Sequence, residues 1–293
     1  MITRDYKVTD PEFAQLFEHF AFDEVVSEES AKLDEADRHL AILAALLGCQ
    51  GIDEFRSQVS RALKAGLTPV MIKEVVYQAT AYLGIGRVRP FLDAVNDIFT
   101  EKGIALPLEG QSTTTDNDRL RKGYEIQARM FGPQMLEAWK QGHINKWLAD
   151  NCFGDYYTRT GLDLRQRELI TFCFIAAQGG CEPQLTAHAK GNMNMGNDKD
   201  HLLRVISQCL PYIGYPRTLN AIACINKAAS DGRPFACFHG GMLPLFSLLF
   251  CLPETAALQL SPSGKIPRTY PSERRIKSPA YCFLRSFWKK RLK

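Results

Sequence analysis

The chain has 293 residues, 45% hydrophobic and 23% charged, with no low-complexity tract. That length and balance support one large or two medium packed domains and exclude a wholly disordered chain. The formal charge of +4 misleads: residues 233–293 hold eleven Lys and Arg against two Glu, leaving 25 Lys and Arg against 30 Asp and Glu for residues 1–232. A mildly acidic body without a basic stripe interleaved with aromatics speaks against nucleic-acid binding.

In chain order, the start MITRDYKVTDPEFAQLF has no basic stretch followed by an apolar run. No secretory signal is expected, and the cytoplasm is the expected location. DPEFAQLFEHF reads as an amphipathic helix. Four more helices follow. HLAILAALLGC is too long and too rich in Ala and Leu for an ordinary strand. IDEFRSQVSRALKAG runs to a Gly suited to a left-handed helix end. PVMIKEVVYQATAYLG starts with Thr68 as N-cap and Pro69 in the first turn, and VRPFLDAVNDIF closes the set. After the polar stretch LEGQSTTTDND comes a second amphipathic segment, GYEIQARMFGPQMLEAWKQG. A second set of four follows: RELITFCFIAAQ, EPQLTAHAKGNMNMG, DKDHLLRVISQCLPYIG and TLNAIACINKA.

The two sets are copies. An ungapped shift of 130 residues lays YLGIGR (82–87) on YIGYPR (212–217), Gly66 on Gly196, Val75 on Val205, Gln78 on Gln208 and Asn96 on Asn226. The expected fold is all-α: two tandem helical units related by a pseudo-twofold axis, residues 1–110 and 111–232. An irregular basic tail, 233–293, has no counterpart after the first unit. Within it MLPLFSLLFCLP is too short to span a bilayer, so a poorly ordered extension is expected and membrane contact is not.

Nine cysteines, at 49, 152, 173, 181, 209, 224, 237, 251 and 282, form no C-x-x-C pair. They read as reduced thiols, with neither a disulfide framework nor a zinc site, and no metal or cofactor is expected. Chemistry concentrates in the second unit. Under the 130-residue shift His188 falls on Gln58, Cys181 on Gly51 and Glu168 on Arg38, so reactive types stand there and not in the first unit. His188 shares an inward helical face with Leu185 and Asn192, and a buried polar group there needs a partner or a purpose. If the hairpin turns near Gly180, Glu168 and His188 end up offset by about 6 Å along the helices at 1.5 Å per residue. A carboxylate holding an imidazole in one tautomer suits general acid/base work, while a core histidine satisfied by a backbone carbonyl, and a first-turn Glu168 favoured by the helix dipole, are the plainer alternatives. Cys181 precedes Pro183 at a helix N-terminus, where the dipole favours a thiolate. The position three residues on is Gln184, so a resolving thiol is missing and a small half-buried apolar role is the alternative.

The stretch from YYTRTGLDLRQRELITF to YIGYPRTLNAI resembles the carboxymuconolactone decarboxylase family. It carries that family's Arg-x-Glu-Leu, Gln-Leu-x-x-His, a Gly eight residues later and Tyr-x-Gly-x-Pro-Arg. The first unit resembles the same family without its His and Glu, and the likeness covers most of residues 20–230 in the double-repeat form. It implies a cofactor-free all-α fold that assembles into homo-oligomeric rings and acts on a small molecule by loss of carbon dioxide from a lactone acid. Carried over by position, His188 would move the proton, Glu168 would orient it, and Arg217 would pair with a substrate carboxylate, a solvated or structural arginine being the alternative. Gln184 and Tyr212 complete the substrate-facing set. A related branch, the alkyl hydroperoxide reductase D-type peroxidases, has Cys-x-x-Cys before this His. Here the pair is Cys181 and Gln184, so a one-thiol peroxidase is the competing activity, and a non-catalytic oligomeric scaffold is the third reading.

Overall fold

A computed structural model of the protein describes residues 6–230, and the expectations for the basic tail fall outside the described residues. Every regular element among the described residues is helical, as two sets of amphipathic and Ala/Leu-rich segments require. α1 (Pro11–Glu18) runs into a π-helical turn, His19–Glu24. α2 (Glu35–Cys49) starts at Asp34, whose side chain accepts the Asp37 N–H at 3.0 Å, and stops at Gln50, which takes a left-handed φ of 63°. α3 (Ile52–Lys64) and α4 (Pro69–Leu83) follow, the latter capped by Thr68 Oγ1 accepting the Met71 N–H at 3.2 Å. α5 (Ile85–Glu101) completes the first set.

The second set has the same order after a different approach. GYEIQARMFGPQMLEAWKQG, the second amphipathic segment of the sequence, is not one continuous helix. Instead α6 (Arg119–Phe131) ends at Gly132, with φ 109°, and the remainder forms short turns at Met135–Ala138 and Trp139–Gln141. The reason is local: Gly132 is left-handed and Pro133, having no N–H, cannot continue the ladder. A π-helix, Leu148–Tyr157, packs against α6 at close range. A Cβ on Gly123 would overlap the Ala149 carbonyl and stand 2.8 Å from the Gly154 amide nitrogen, so the crossing requires glycine. α7 (Leu164–Gln178) opens with an Asp163–Gln166 capping box, followed by α8 (Glu182–Asn194), α9 (Lys199–Ile213) and α10 (Tyr215–Ser230).

α2 and α7 form the centre of the molecule. Residues 40–48 and 167–177 are buried almost without interruption, and apart from Arg167, Glu168 and Thr171 these runs are apolar all round rather than on one stripe. They touch where a Cβ on Gly48 would lie 2.7 Å from the Ala177 Cβ. The hairpin partners α3 and α8 flank this pair, with α5 on α3 and α10 on α8. The third helices cross between repeats: α9 packs on α2 as well as on α10, and α4 packs on α7 as well as on α2. The two units are therefore related by a pseudo-twofold axis and interlocked. Within the first, Phe55 and Phe91 meet edge to face at 5.0 Å in the fully buried core.

Two carboxylates of the first repeat, Glu74 and Asp37, bind arginines of the second across the interlock. Glu74 of α4 is buried and is held by Arg159 through Nε and by Arg167 through Nη2, both at 2.9 Å. Arg167, with no exposed surface, also donates to Gln78 Oε1 and to the Arg159 and Thr160 carbonyls. At the start of α2, Asp37 receives both terminal nitrogens of Arg165 at 2.6 and 2.9 Å. Among the described residues no helix is long and apolar enough to cross a membrane.

Candidate active site

The α7–α8 hairpin turns through Gly179 and Gly180, both at φ 72°, and that reversal lays the middle of α8 beside the start of α7. Glu168, with no exposed surface, points its Oε1 at His188 Nδ1 at 2.7 Å. His188 is 7% exposed, its ring edged by Phe131 at 5.4 Å and by Tyr82 at 5.6 Å. Its Nε2 makes no hydrogen bond to the described residues and is not sealed from solvent. With Nδ1–H donated to the carboxylate, Nε2 carries the free lone pair. Gly191, one turn on, makes the approach feasible: a Cβ there would collide with Glu168 Oε1 and stand 2.8 Å from the Phe131 ring. Asn192 fixes the backbone on both sides by donating to the Glu168 and His188 carbonyls, each at 2.9 Å.

A second layer of donors converges on the same carboxylate. Tyr157, from the π-helix, donates its hydroxyl to Glu168 Oε2 at 2.7 Å. Its oxygen lies 3.0 Å from the Tyr82 hydroxyl and 2.8 Å from Thr171 Oγ1. Cys152 Sγ donates to the Tyr82 oxygen at 3.6 Å, and Gln78 Nε2 donates to Thr171 Oγ1 at 2.9 Å. Burial and then the negative charge of Glu168 push the Tyr157 phenol well above its ordinary range. Burial, Cys152 and Glu168 do the same to Tyr82, and burial pushes the Cys152 thiol up to about 12. All three stay protonated near neutrality and remain donors.

Of the residues singled out from the sequence, the structure joins Glu168 and His188 directly. Cys181 is the N-cap residue of α8, half-buried, its sulfur accepting from Gln178 Nε2 at 3.2 Å. Gln184 is half-buried one turn before His188 on the same helix. Arg217 and Tyr212 make no contact with His188 among the described residues. The Arg217 guanidinium donates to the Ala177 carbonyl at the end of α7. Tyr212 packs edge to face with Phe17 at 6.4 Å, and its phenol is pushed up to about 12 by burial and by Glu54, with Arg61 and Arg38 acting the other way. Because the third helices cross between repeats, the tyrosine that reaches His188 is Tyr82, 130 residues before Tyr212. Tyr82, Tyr157, Thr171, Phe131 and Cys152 were not singled out from the sequence. The signal for Tyr82 was present, since YLGIGR and YIGYPR align, but it needs the crossing to be read. Tyr157 carried none beyond its place in YYTRT.

The first hairpin is not without an imidazole. His39, one residue past the position that corresponds to Glu168, faces Gln58 with Nδ1 at 2.6 Å from the amide and Nε2 at 3.3 Å from Glu35. Both nitrogens are occupied, and burial lowers its proton affinity.

The match with known families falls on both repeats. The model of the carboxymuconolactone decarboxylase family matches residues 11–97 and again residues 143–227, more than half of the chain. The chain belongs to the carboxymuconolactone decarboxylase family. None of the curated proteins compared with it matches. Within this double-repeat family member, Tyr157 also forms part of the wall of a groove of about 940 Å³, together with Lys122, Arg129, Arg159 and Met195. His188, Glu168 and Cys181 do not line this groove.

Proposed function

We propose that the protein is an acid/base enzyme of the decarboxylase type, acting on a small carboxylated lactone or β-keto acid at the second repeat. The observation that carries this reading is the 2.7 Å bond between His188 Nδ1 and a fully buried Glu168, with Nε2 open. The pair fixes the ring's tautomer and orientation, and Nε2 is the atom that exchanges a proton with the substrate. As the bond to the departing carboxylate breaks, its electron pair moves into the conjugated carbonyl and carbon dioxide leaves. Nε2, protonated from solvent beforehand to an imidazolium whose charge Glu168 supports, then gives that proton to the carbon and returns to the neutral ring. Removing the base leaves the scaffold intact, because Gln58 occupies the same place in the first repeat. The test is a screen of carboxylated lactones and β-keto acids for carbon dioxide release, with His188→Gln beside the parent. A folded His188→Gln protein of full activity would end this reading.

A second reading has its own observation, a half-exposed Cys181 whose sulfur receives the Gln178 amide. Here Cys181 thiolate attacks a hydroperoxide oxygen, an alcohol leaves, and an added small thiol reduces the sulfenic acid. A peroxide assay with that thiol, on Cys181→Ser, separates the two. A homo-oligomer is part of the proposal, supported by exposed Phe13, Leu16, Trp147, Tyr215 and Leu219. Sedimentation of a 33.0 kDa particle would count against it.

A further inference from the structure

The donors around Glu168 run in one direction, and they cross from one repeat to the other. Tyr157 has one hydroxyl proton, committed to Glu168 Oε2, so its oxygen accepts from Tyr82 and Thr171. Thr171 in turn accepts from Gln78 Nε2, and Gln78 Oε1 accepts from Arg167. Tyr82 accepts from Cys152. The hydroxyl protons of the cluster are therefore turned toward the carboxylate, which has no exposed surface and receives its other strong hydrogen bond from His188 Nδ1–H. Two of the donors, Tyr82 and Gln78, lie on α4 of the first repeat.

We propose that the hydroxyl pair Tyr157–Tyr82 is a positioning device for the His188–Glu168 couple, and that the second repeat's site is incomplete without α4 of the first. This rests on the acid/base reading for its use but not for its test. A carboxylate that shares its charge with a phenol hydrogen is a weaker acceptor for the imidazole N–H. The pair thus sets how strongly Glu168 holds Nδ1–H and how readily Nε2 takes a proton. The titratable groups facing the couple are Tyr157 and Cys152 from the π-helix and Tyr82 from α4. α6 presents the uncharged Phe131 ring, and α10 presents Cys224, whose thiol bonds the Glu182 carbonyl.

The test is ¹⁵N-edited NMR of the full chain, observing the His188 Nδ1–H proton and the ring nitrogens, with no substrate. In Tyr157→Phe, Glu168 keeps only the imidazole as strong donor, so the Nδ1–H signal moves to lower field and the pH midpoint of the ring rises. Tyr82→Phe, one bond further out, gives a shift of the same sign and smaller size, and Tyr212→Phe gives none. Thr171→Val, which removes the other donor to Tyr157, is the second probe should Tyr157→Phe not fold. A folded Tyr157→Phe or Thr171→Val whose signal stays at the parent position overturns the proposal, as does an equal shift in Tyr82→Phe and Tyr212→Phe. Loss of turnover in His188→Gln with unmoved signals in the tyrosine variants would sustain the acid/base reading and refute the positioning role. Moved signals with full His188→Gln activity would do the reverse.

Discussion

The two hairpins at the centre of the molecule share a backbone plan and differ at a handful of side chains. In α7–α8 a carboxylate on the first helix meets an imidazole on the second, with glycine at 191 leaving room for both. In α2–α3 the imidazole is on the first helix, an amide faces it, and Arg61 stands where Gly191 stands in the other repeat, its guanidinium 4.1 Å over the Phe22 ring. His39 has both ring nitrogens engaged, whereas His188 has one engaged and one open. A buried imidazole is therefore not by itself a site. What separates a structural histidine from a candidate catalytic one here is whether the second nitrogen is occupied.

The largest expected consequence of that difference is kinetic. His188→Gln imports the first repeat's amide and should lower turnover by roughly 10²–10⁴, while Gln58→His should create no activity, since His39 and not a carboxylate faces position 58. Carbon dioxide release from the responding substrate measures both. Next in size is the interlock that brings Tyr82 to His188. Glu74→Ala leaves Arg167 buried without its counter-charge and should cost about 3–5 kcal/mol, read as a lower urea midpoint at unchanged slope. Gly191→Ala, the smallest step toward the first repeat's Arg61, forces a methyl onto Glu168 and Phe131. It should destabilise by about 1–3 kcal/mol and loosen the Glu168–His188 bond, seen in the same unfolding experiment and in the Nδ1–H signal.

Acid sharpens the comparison at the start of α2, where Asp37 lies. Burial would raise the Asp37 carboxyl, but the His201 imidazole 3.1 Å away, the hydrogen bonds from Arg165 and the charge of Arg165 outweigh it and hold the group down at about 2, from 3.8. A depressed carboxylate contributes stability that is complete above its unfolded value and is lost as pH falls through the folded one. The parent should lose stability between about pH 4 and pH 2, and Asp37→Asn should flatten that part of the curve, with urea midpoints at several pH values as the check. The smallest expected effects concern the paired tyrosines. Tyr82→Phe strands Cys152 and one lone pair of Tyr157 and should cost about 1 kcal/mol. Tyr212→Phe removes a hydroxyl with no hydrogen bond among the described residues and should stay within about 0.5 kcal/mol. Equal costs would mean that the two positions are not distinguished by the crossing.

Much of this molecule is decided locally. Helix period, the Thr68 and Asp163 caps, and the left-handed Gly66 and Gly196 follow from short-range rules, because capping and φ preference depend on neighbours a few residues away. The repeat follows from the sequence as well, and so does the candidate pairing of Glu168 with His188, since a hairpin fixes which residues of two consecutive helices lie level. What the sequence does not contain is which helix of one repeat lies on which helix of the other. Helix faces of similar apolar composition can pack on either neighbour, and volume, close contacts such as Gly48 on Ala177, and the buried Arg167–Glu74 pair choose between them. That choice carries Tyr212 to the first hairpin and Tyr82 to His188. It also places the π-helical Tyr157 against Glu168, a contact between residues close in sequence whose geometry depends on a wider helical turn that no propensity foretells.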